Sequence, residues 1–228
     1  MAGSEIVISS LATMEECTDV VTLQRAIWGF EDDTELLPPR VIVVAVKIGG
    51  QAFGAYENGR MIAFLIAFAA TKPDGHRYLH SQMLGVLPEY RNTGIGKRLK
   101  LHQKQDALGR GYDLIEWTFD PLQLKNAWFN IEGLGAIVRR YERNLYGTST
   151  SALQGGLPTD RCIAEWWIAK PRPLPDIVEK LAVPPVRSRA VQEMVASHFE
   201  DAFARGLAAV GVKRVEDGIE YLFGKAVL

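Results

Sequence analysis

The stretch Leu84–Lys104, LGVLPEYRNTGIGKRLKLHQK, decides how this chain is read. A short apolar strand ends at Val86, and a turn holding Pro88 and Glu89 follows. Then come Arg91, Asn92, Thr93, Gly94, Ile95 and Gly96, with a basic, breaker-free segment directly behind the second glycine. Glycine has no Cβ, so two of them let the backbone pass close to a ligand. A helix opening there points free N–H groups and its positive dipole end at the loop. The pattern predicts an anion site, best matched to a pyrophosphate.

Three phosphate loops compete for it. A Walker loop, G-x-x-x-x-G-K-S/T, needs a hydroxyl after the lysine, and Gly96-Lys97 is followed by Arg98. A Rossmann fingerprint needs a third glycine, where Leu99 stands, and a strand running straight into the glycines. Glu116, about 20 residues on, sits where a ribose-binding acid belongs, which keeps a dinucleotide-binding oxidoreductase as an alternative. The third form is Gln/Arg-x-x-Gly-x-Gly/Ala between a strand and a helix. Arg91-x-x-Gly94-x-Gly96 matches it and resembles the loop of the GNAT acyl-CoA N-acyltransferases.

Whole-chain properties fit an enzyme. The chain has 228 residues, enough to bury a sizeable core in one large domain or in a domain with an extension. A net charge of −1 and a pI near 6.4 argue against a nucleic-acid or membrane-surface partner. The longest apolar run, Met61–Ala70, is too short to span a bilayer and reads as a buried strand. The stretch MAGSEIVISS shows no basic region followed by a long apolar one, so no signal peptide is expected and the protein is expected to be cytoplasmic. Cys17 and Cys162 lack metal spacing and read as buried free thiols.

Ile6–Ser9 reads as a first strand, and Thr13 with Glu16 has the form of a capping box. Cys17, Val20, Val21, Ile27 and Trp28 follow on one helical face that Gly29 ends. Pro39 opens a short helix or turn before the apolar run Val41–Ile48. Gln51–Tyr56 and Met61–Ala69 are strands around Asn58-Gly59, a strong hairpin signal. Tyr78–Val86 feeds the glycine loop, Lys97–Leu108 is a helix, and Asp113–Phe119 is the next strand. Asp120-Pro121-Leu122-Gln123 looks like a helix cap with proline at the first position. Leu124, Ala127, Trp128, Ile131 and Leu134 keep helical spacing, Ala136–Val138 reads as a brief strand, and Arg161–Lys170 as a longer one. The prolines from Pro171 to Pro185 predict an irregular connection. An amphipathic helix over Arg187–Arg205 and a hairpin of Leu207–Val215 with Ile219–Val227 close the chain.

This element order resembles the GNAT fold over roughly residues 5 to 170. The stretch WTFDPLQLKNAWFNIEGLGAIVRRYERNLYG, Trp117–Gly147, further resembles a larger bacterial subgroup of that family that carries a C-terminal extension. The resemblance implies an α+β (mixed α/β) fold, with a central, mostly antiparallel, splayed sheet flanked by helices. Residues 1–170 would form the acyltransferase domain. Residues 171–228 would add a linker, an amphipathic helix and a β-hairpin, which cover the acceptor pocket or form a homodimer interface. It also implies acetyl-CoA or another acyl-CoA as co-substrate, without a metal, and an amine acceptor. Backbone groups of Leu84, Gly85 and Val86 would pair with the pantetheine amides. The amides of Asn92, Thr93, Gly94, Ile95, Gly96 and Lys97 would hold the pyrophosphate. Arg91, Lys97 and Arg98 would supply charge, while Lys100 and Lys104 read more readily as a solvated helix face.

The reaction implied is attack of a primary amine on a thioester. At pH 7 a lysine-like amine with pKa about 10.4 costs roughly 4–5 kcal/mol to deprotonate, so a general base is required. The carbonyl oxygen needs fixed donors, which strand N–H groups around Leu84–Val86 would supply. The family's usual leaving-group tyrosine falls here on Ile131, leaving Tyr146, or Tyr141, as substitutes should the chain fold back. Asp120 is read as a base, an amine-binding group or a helix cap, and Glu116 as a second carboxylate on the preceding strand. Asn126 and Asn130, one helical turn apart, and Phe129 between them are read as pantetheine contacts or as surface and core residues. His80 reads as a satisfied strand histidine, and His76, His102 and His198 show no metal spacing. The acceptor is expected to be a small molecule such as an amino acid. A non-catalytic acyl-CoA sensor is the other alternative, prompted by the missing tyrosine.

Overall fold

The computed structural model describes residues 5–30, 32–147, 149–151, 154–172 and 175–226. Met1–Ser4, Pro173 and Val227, which the sequence expectations include, lie outside them. Two compact units are present. One comprises the chain up to Ile115 with Thr150 and Ser151, and the other comprises Glu116–Ser149 and the chain from Gln154 onward. The segment expected as an extension after residue 170 therefore falls in one unit with Glu116–Ser149 and with the chain that follows from Gln154.

The N-terminal unit contains strands β1 (Ile6–Ser10), β2 (Gln51–Glu57), β3 (Arg60–Thr71) and β4 (Arg77–Val86), ordered β1-β2-β3-β4 with antiparallel pairing. Helices α1 (Met14–Trp28), α2 (Pro39–Lys47) and α3 (Ile95–Gly109) accompany them. Every residue from Met61 to Ala67 is buried, so β3 is covered on both faces and reads as one apolar run instead of alternating. The capping box forms: Glu16 N donates to Thr13 Oγ1 at 3.2 Å, and Thr13 N to Glu16 Oε2 at 2.9 Å. Asn58 and Gly59, at φ 50° and 80°, make the β2–β3 turn, both left-handed as a type I′ turn requires. Between Ile66 and Phe68 the β3–β4 register shifts, setting Ser81 and Gln82 against Ala67. This is a β-bulge on β4.

The C-terminal unit carries the end of β5 (Leu114–Phe119), α4 (Leu124–Trp128), β6 (Ile137–Glu142), β7 (Arg161–Trp167), β8 (Ile177–Val183), α5 (Arg189–Ala204), β9 (Ala208–Val215) and β10 (Gly218–Gly224). Strand order is β5-β7-β6-β9-β10-β8. The final hairpin is not isolated. Ala209 on β9 pairs with Val138 on β6, and β10 pairs with β8. Phe199 of α5 packs at 4.9 Å from Tyr221 and 5.1 Å from Phe223 on β10, giving these strands an aromatic core.

The structure corrects four expectations. The proline-rich stretch expected to be irregular contains β8, which finds its partner in β10, 35 or more residues later in the chain. Asp120 does not cap a helix. Its Oδ1 accepts from Leu122 N at 2.8 Å in a tight turn, and α4 begins only at Leu124. The expected helix to Leu134 is five α-helical residues followed by a π-helical turn at Phe129–Gly133. The strand expected at Ala136–Val138 runs on to Glu142, because β7 pairs along all of it.

Glu132, in the π-helical turn, joins that turn to β9. It accepts from Arg172 Nη1 and Nη2 at 3.2 and 3.1 Å and from Val212 N at 2.7 Å. Burial raises its pKa, but the Arg172 and Val212 hydrogen bonds outweigh it and the net direction is down. A lowered folded-state pKa gives stability that is present above the unfolded value of 4.5 and lost as pH falls through the folded value. Glu132→Gln is expected to cost about 1–3 kcal/mol at neutral pH, with the gap to the parent closing in acid. Urea midpoints against pH measure it, and a gap that persists at the lowest pH contradicts the assignment.

Candidate active site

In the N-terminal unit the glycine loop is built around a helix that starts without a side-chain cap. After β4, Pro88–Tyr90 form one 3-10 turn. Thr93 Oγ1 donates to Tyr90 O at 2.7 Å, and Asn92 and Gly94 take φ of 64° and 88°. Gly94 is the residue before α3 and offers no side chain to its first N–H groups. The first main-chain bond into the helix is Arg98 N to Gly94 O at 3.0 Å. The N–H groups of Ile95, Gly96 and Lys97 therefore face outward at the positive end of a 15-residue helix, the arrangement that binds phosphate.

The side chains around the loop take distinct roles. Lys97 is exposed. Arg91 ties the loop down, with Nη2 donating to Ile27 O at the end of α1 at 3.2 Å and Nε to Val86 O at 3.4 Å. Arg98 Nη2 donates to Ile6 O on β1 at 2.7 Å. Leu84 and Val86 are half-buried. A Cβ on Gly85 would lie 2.6 Å from the Phe64 ring and 2.8 Å from Ile27 Cδ1, so packing demands glycine there.

Lys100 is not on a solvated face. It is 2% exposed, and its Nζ donates to Ser81 Oγ at 2.9 Å and Gln103 Oε1 at 3.0 Å. Gln103 Nε2 donates to Gln51 Oε1 at 3.1 Å, and Gln51 Nε2 to Asp106 Oδ2 at 2.6 Å. This buried polar line runs from the β4 bulge along α3. The sequence pattern had no means of showing it, because a lysine between Leu99 and Leu101 in a basic helix looks solvated.

In the C-terminal unit, Trp117 and Phe119 point to one side of β5. Trp117 packs edge-on to Trp166 at 6.2 Å and donates to Asn130 Oδ1 at 3.1 Å. Asn130 Nδ2 in turn donates to Asn126 Oδ1 at 3.3 Å, and Phe129 is half-buried with its ring 3.4 Å from the Cβ position of Gly133. Glu116 and Thr118 take the opposite side by strand alternation. Glu116, 3% exposed, accepts from Arg140 Nη2 at 2.6 Å, and Arg140 Nε lies 3.5 Å from Glu165 Oε1 on β7. Arg139 Nη2 bonds Glu165 Oε2 at 2.5 Å.

The chain after β6 does fold back. Buried Thr159 and Asp160 hold it. Asn144 N donates to Asp160 Oδ1 at 2.9 Å, and Tyr146 N to Thr159 Oγ1 at 2.8 Å. Tyr146, half exposed, thereby sets its hydroxyl 3.0 Å from Thr118 Oγ1. Tyr141 is a packing residue instead. Its hydroxyl donates to Asp160 Oδ2 at 2.8 Å, its ring lies 5.7 Å from Phe199, and burial pushes its pKa up. Asp120, 5% exposed, bonds Arg187 at 2.7 Å. Glu116, Asp120 and Tyr146 are thus gathered in one unit, joined by Thr118, Arg140, Arg161, Glu165 and Arg187, which sequence reasoning missed. Alternation along β7 was the available signal for Arg161 and Glu165. Cys17 and Cys162 are free and buried, as expected. Among the described residues no cluster of His, Cys, Asp or Glu has metal-site geometry, and no helix is long and apolar enough to cross a membrane.

Comparison with known proteins bears on this arrangement. Residues 18–129 match the model of the Acetyltransferase (GNAT) family. The chain is similar in structure to the ribosomal-protein-S18-alanine N-acetyltransferase from Escherichia coli, with 20% identity and a TM-score of 0.57 over 72% of this chain and 94% of that one. It is also similar to Arabidopsis thaliana Naa50 in complex with the bisubstrate analogue CoA-Ac-MVNAL, with 16% identity and a TM-score of 0.54 over 70% and 97%. A third is the NatC complex bound to Gag peptide and CoA, with 18% identity and a TM-score of 0.56 over 71% and 97%. At these identities the likeness is one of fold. No curated protein matches the chain.

Two expectations test the loop and its support. Gly94→Ala meets no neighbouring atom but forces alanine to positive φ, so a loss of about 1–2 kcal/mol is expected. Gly96→Ala places its Cβ at ordinary distances of 3.7 and 3.8 Å from Val86 and Leu84, so its melting temperature should stay within about 2 °C of the parent. Scanning calorimetry of both variants checks this, and equal losses would sink the geometry. Separately, burial lowers the Lys100 pKa well below 10.5. The unfolded chain then binds more protons between that lowered value and 10.5, so the parent gains stability as pH rises through the window. Lys100→Met lacks this gain. The stability difference should move in the parent's favour as pH rises towards 10.5, and a flat difference argues against the shift.

Proposed function

Residues 18–129 match the model of the Acetyltransferase (GNAT) family, and on that likeness we propose that the chain transfers an acetyl or related acyl group from coenzyme A to the primary amine of a small molecule. The observation that carries the reading is the start of α3 behind Gly94, which has no side-chain cap and follows β4 by one short loop. Three outward N–H groups and the helix dipole suit a pyrophosphate, and exposed Lys97 adds charge beside them. The main chain of Leu84, Gly85 and Val86 would take the pantetheine amides. Arg91 and Arg98 bond main-chain carbonyls of Ile27, Val86 and Ile6, so their part is to hold the loop in shape.

Chemistry falls to the polar side of β5. The acceptor amine is charged in water and must lose a proton before it attacks the thioester carbon. Glu116 is the carboxylate proposed to receive that proton, directly or through a water. As the tetrahedral intermediate collapses, the carbon–sulfur bond breaks and the thiolate takes a proton from Tyr146, whose exposed hydroxyl is oriented by Thr118. Asp120, with its oxygens engaged by Leu122 N and Arg187, shapes the turn and positions Arg187. Asn130 supports Trp117, which leaves Asn126 of α4 and Phe129 of the π-helical turn for a ligand-binding role.

Free-thiol release from acetyl-, propionyl- and succinyl-CoA against a panel of amines tests the proposal. Turnover is expected with at least one amine. Glu116→Gln should lower kcat by about 10²–10⁴-fold, and Tyr146→Phe should lower it by roughly ten-fold or more, while coenzyme A affinity stays unchanged in both. Tight coenzyme A binding without thiol release from any amine would instead make the chain a sensor and overturn the catalytic reading.

A further inference from the structure

Arg161, the first residue of β7, is half-buried, unlike Arg189 and Arg214, the exposed arginines of the same unit that also show no carboxylate bond among the described residues. Arg139, Arg140, Arg143, Arg172, Arg187 and Arg205 of the same unit each bond a carboxylate. Arg161 does not. Its Nη1 donates to the main-chain oxygen of Asp160 at 2.9 Å and its Nη2 to the side-chain amide oxygen of Gln154 at 3.1 Å, both neutral acceptors. The two carboxylates around it are engaged elsewhere. Asp120 accepts from Leu122 N and Arg187, and Asp160 from Asn144 N and Tyr141. Among the described residues Arg161 is therefore a partly buried cation without an ion-pair partner. Burial depresses its pKa, with Asp120 acting in the opposite sense. A guanidinium withdrawn from water and left without a counter-charge is destabilising, so its presence calls for a compensating ligand.

Its surroundings identify that ligand's place. The guanidinium lies 5.6 Å from the centre of the Tyr146 ring, and the Tyr146 hydroxyl contacts Thr118. The planar fork of Arg161 is pinned at two N–H groups by neutral oxygens and keeps further donors for an anion. A carboxylate is the group whose two oxygens match such a fork, and the bond it makes is charge-assisted.

We propose that Arg161 binds a carboxylate carried by the acceptor, so that the substrate class is small amino-carboxylates: molecules with a free primary amine and a free acid, such as amino acids. This rests on the acyltransferase reading above and narrows it. Arg161 becomes the residue that separates amino acids from their amides and from simple alkylamines. Tyr146 beside it then links recognition of the acid to protonation of the departing thiolate.

The test compares each amino acid with its carboxamide in the thiol-release assay. The wild type should prefer the free acid by about 10²-fold or more in kcat/KM, because a site built to pair a charged group discriminates strongly against the analogue lacking it. Arg161→Gln should bring that ratio close to one, chiefly through KM for the acid, and Arg161→Lys should restore part of it. Unchanged thermal melting and coenzyme A binding in both variants separate this from misfolding. Equal use of acid and amide by the wild type, or an undiminished preference in Arg161→Gln, overturns the proposal. Should no amine be acylated, the acyltransferase reading fails on its own. Calorimetric titration of an N-acetyl amino acid against its amide then still decides the anion site: preference for the acid that Arg161→Gln abolishes supports it, and equal binding overturns it.

Discussion

A helix that opens on a left-handed glycine has nothing to place over its first turn, and that constraint organises the N-terminal unit. Gly94 at φ 88° turns the chain sharply enough for α3 to begin at once, leaving three N–H groups facing outward. The surrounding residues hold this geometry. Arg91 fastens the loop to the ends of β4 and α1, and Arg98 reaches β1. Gly85 lets Phe64 and Ile27 close against β4. Lys100 anchors the middle of α3 to Ser81, one of the two residues in the β4 bulge. A bulge disrupts the regular ladder and redirects the local backbone, and here a buried amine stands behind it.

The C-terminal unit solves a different problem, that of keeping charged and polar side chains ordered on one side of β5 and β7. It does so by pairing. Glu116 and Glu165 share Arg140, Arg139 completes the set, and Asp120 meets Arg187. Breaking a buried pair of this kind leaves an uncompensated charge and is costly, so the cluster specifies its own arrangement. Thr159 and Asp160 do the same for the main chain by satisfying Asn144, Leu145 and Tyr146 N–H groups. Arg161 stands out against this background because its contacts are to neutral oxygens.

Legibility followed the range of the interactions. The capping box at Thr13 and Glu16, the Asn58-Gly59 hairpin and the glycine loop are each decided within a few residues, and each was readable. Strand β4 and the strand β7 core were readable from composition. Asp120 was misread because a cap and an Asx turn share the same first residues, and only the path of the chain after Pro121 distinguishes them. Strand β8 was hidden because its partner, β10, lies beyond an intervening helix and strand. Lys100 was hidden because solvation is a property of what packs on a helix, and its own helix offered no sign of Ser81 on β4.

By itself the sequence determined most of the elements, the Asn58-Gly59 hairpin and a glycine loop ahead of a helix, since propensity, turn chemistry and backbone freedom act locally. The tertiary structure decided which side chains share a site. It turned Tyr146 back onto Thr118 through hydrogen bonds to Thr159 and Asp160, buried Lys100 behind the bulge, and left Arg161 without a carboxylate partner. Those outcomes depend on contacts between residues far apart in the chain, whose energies exist only once the strands have paired and water has been excluded.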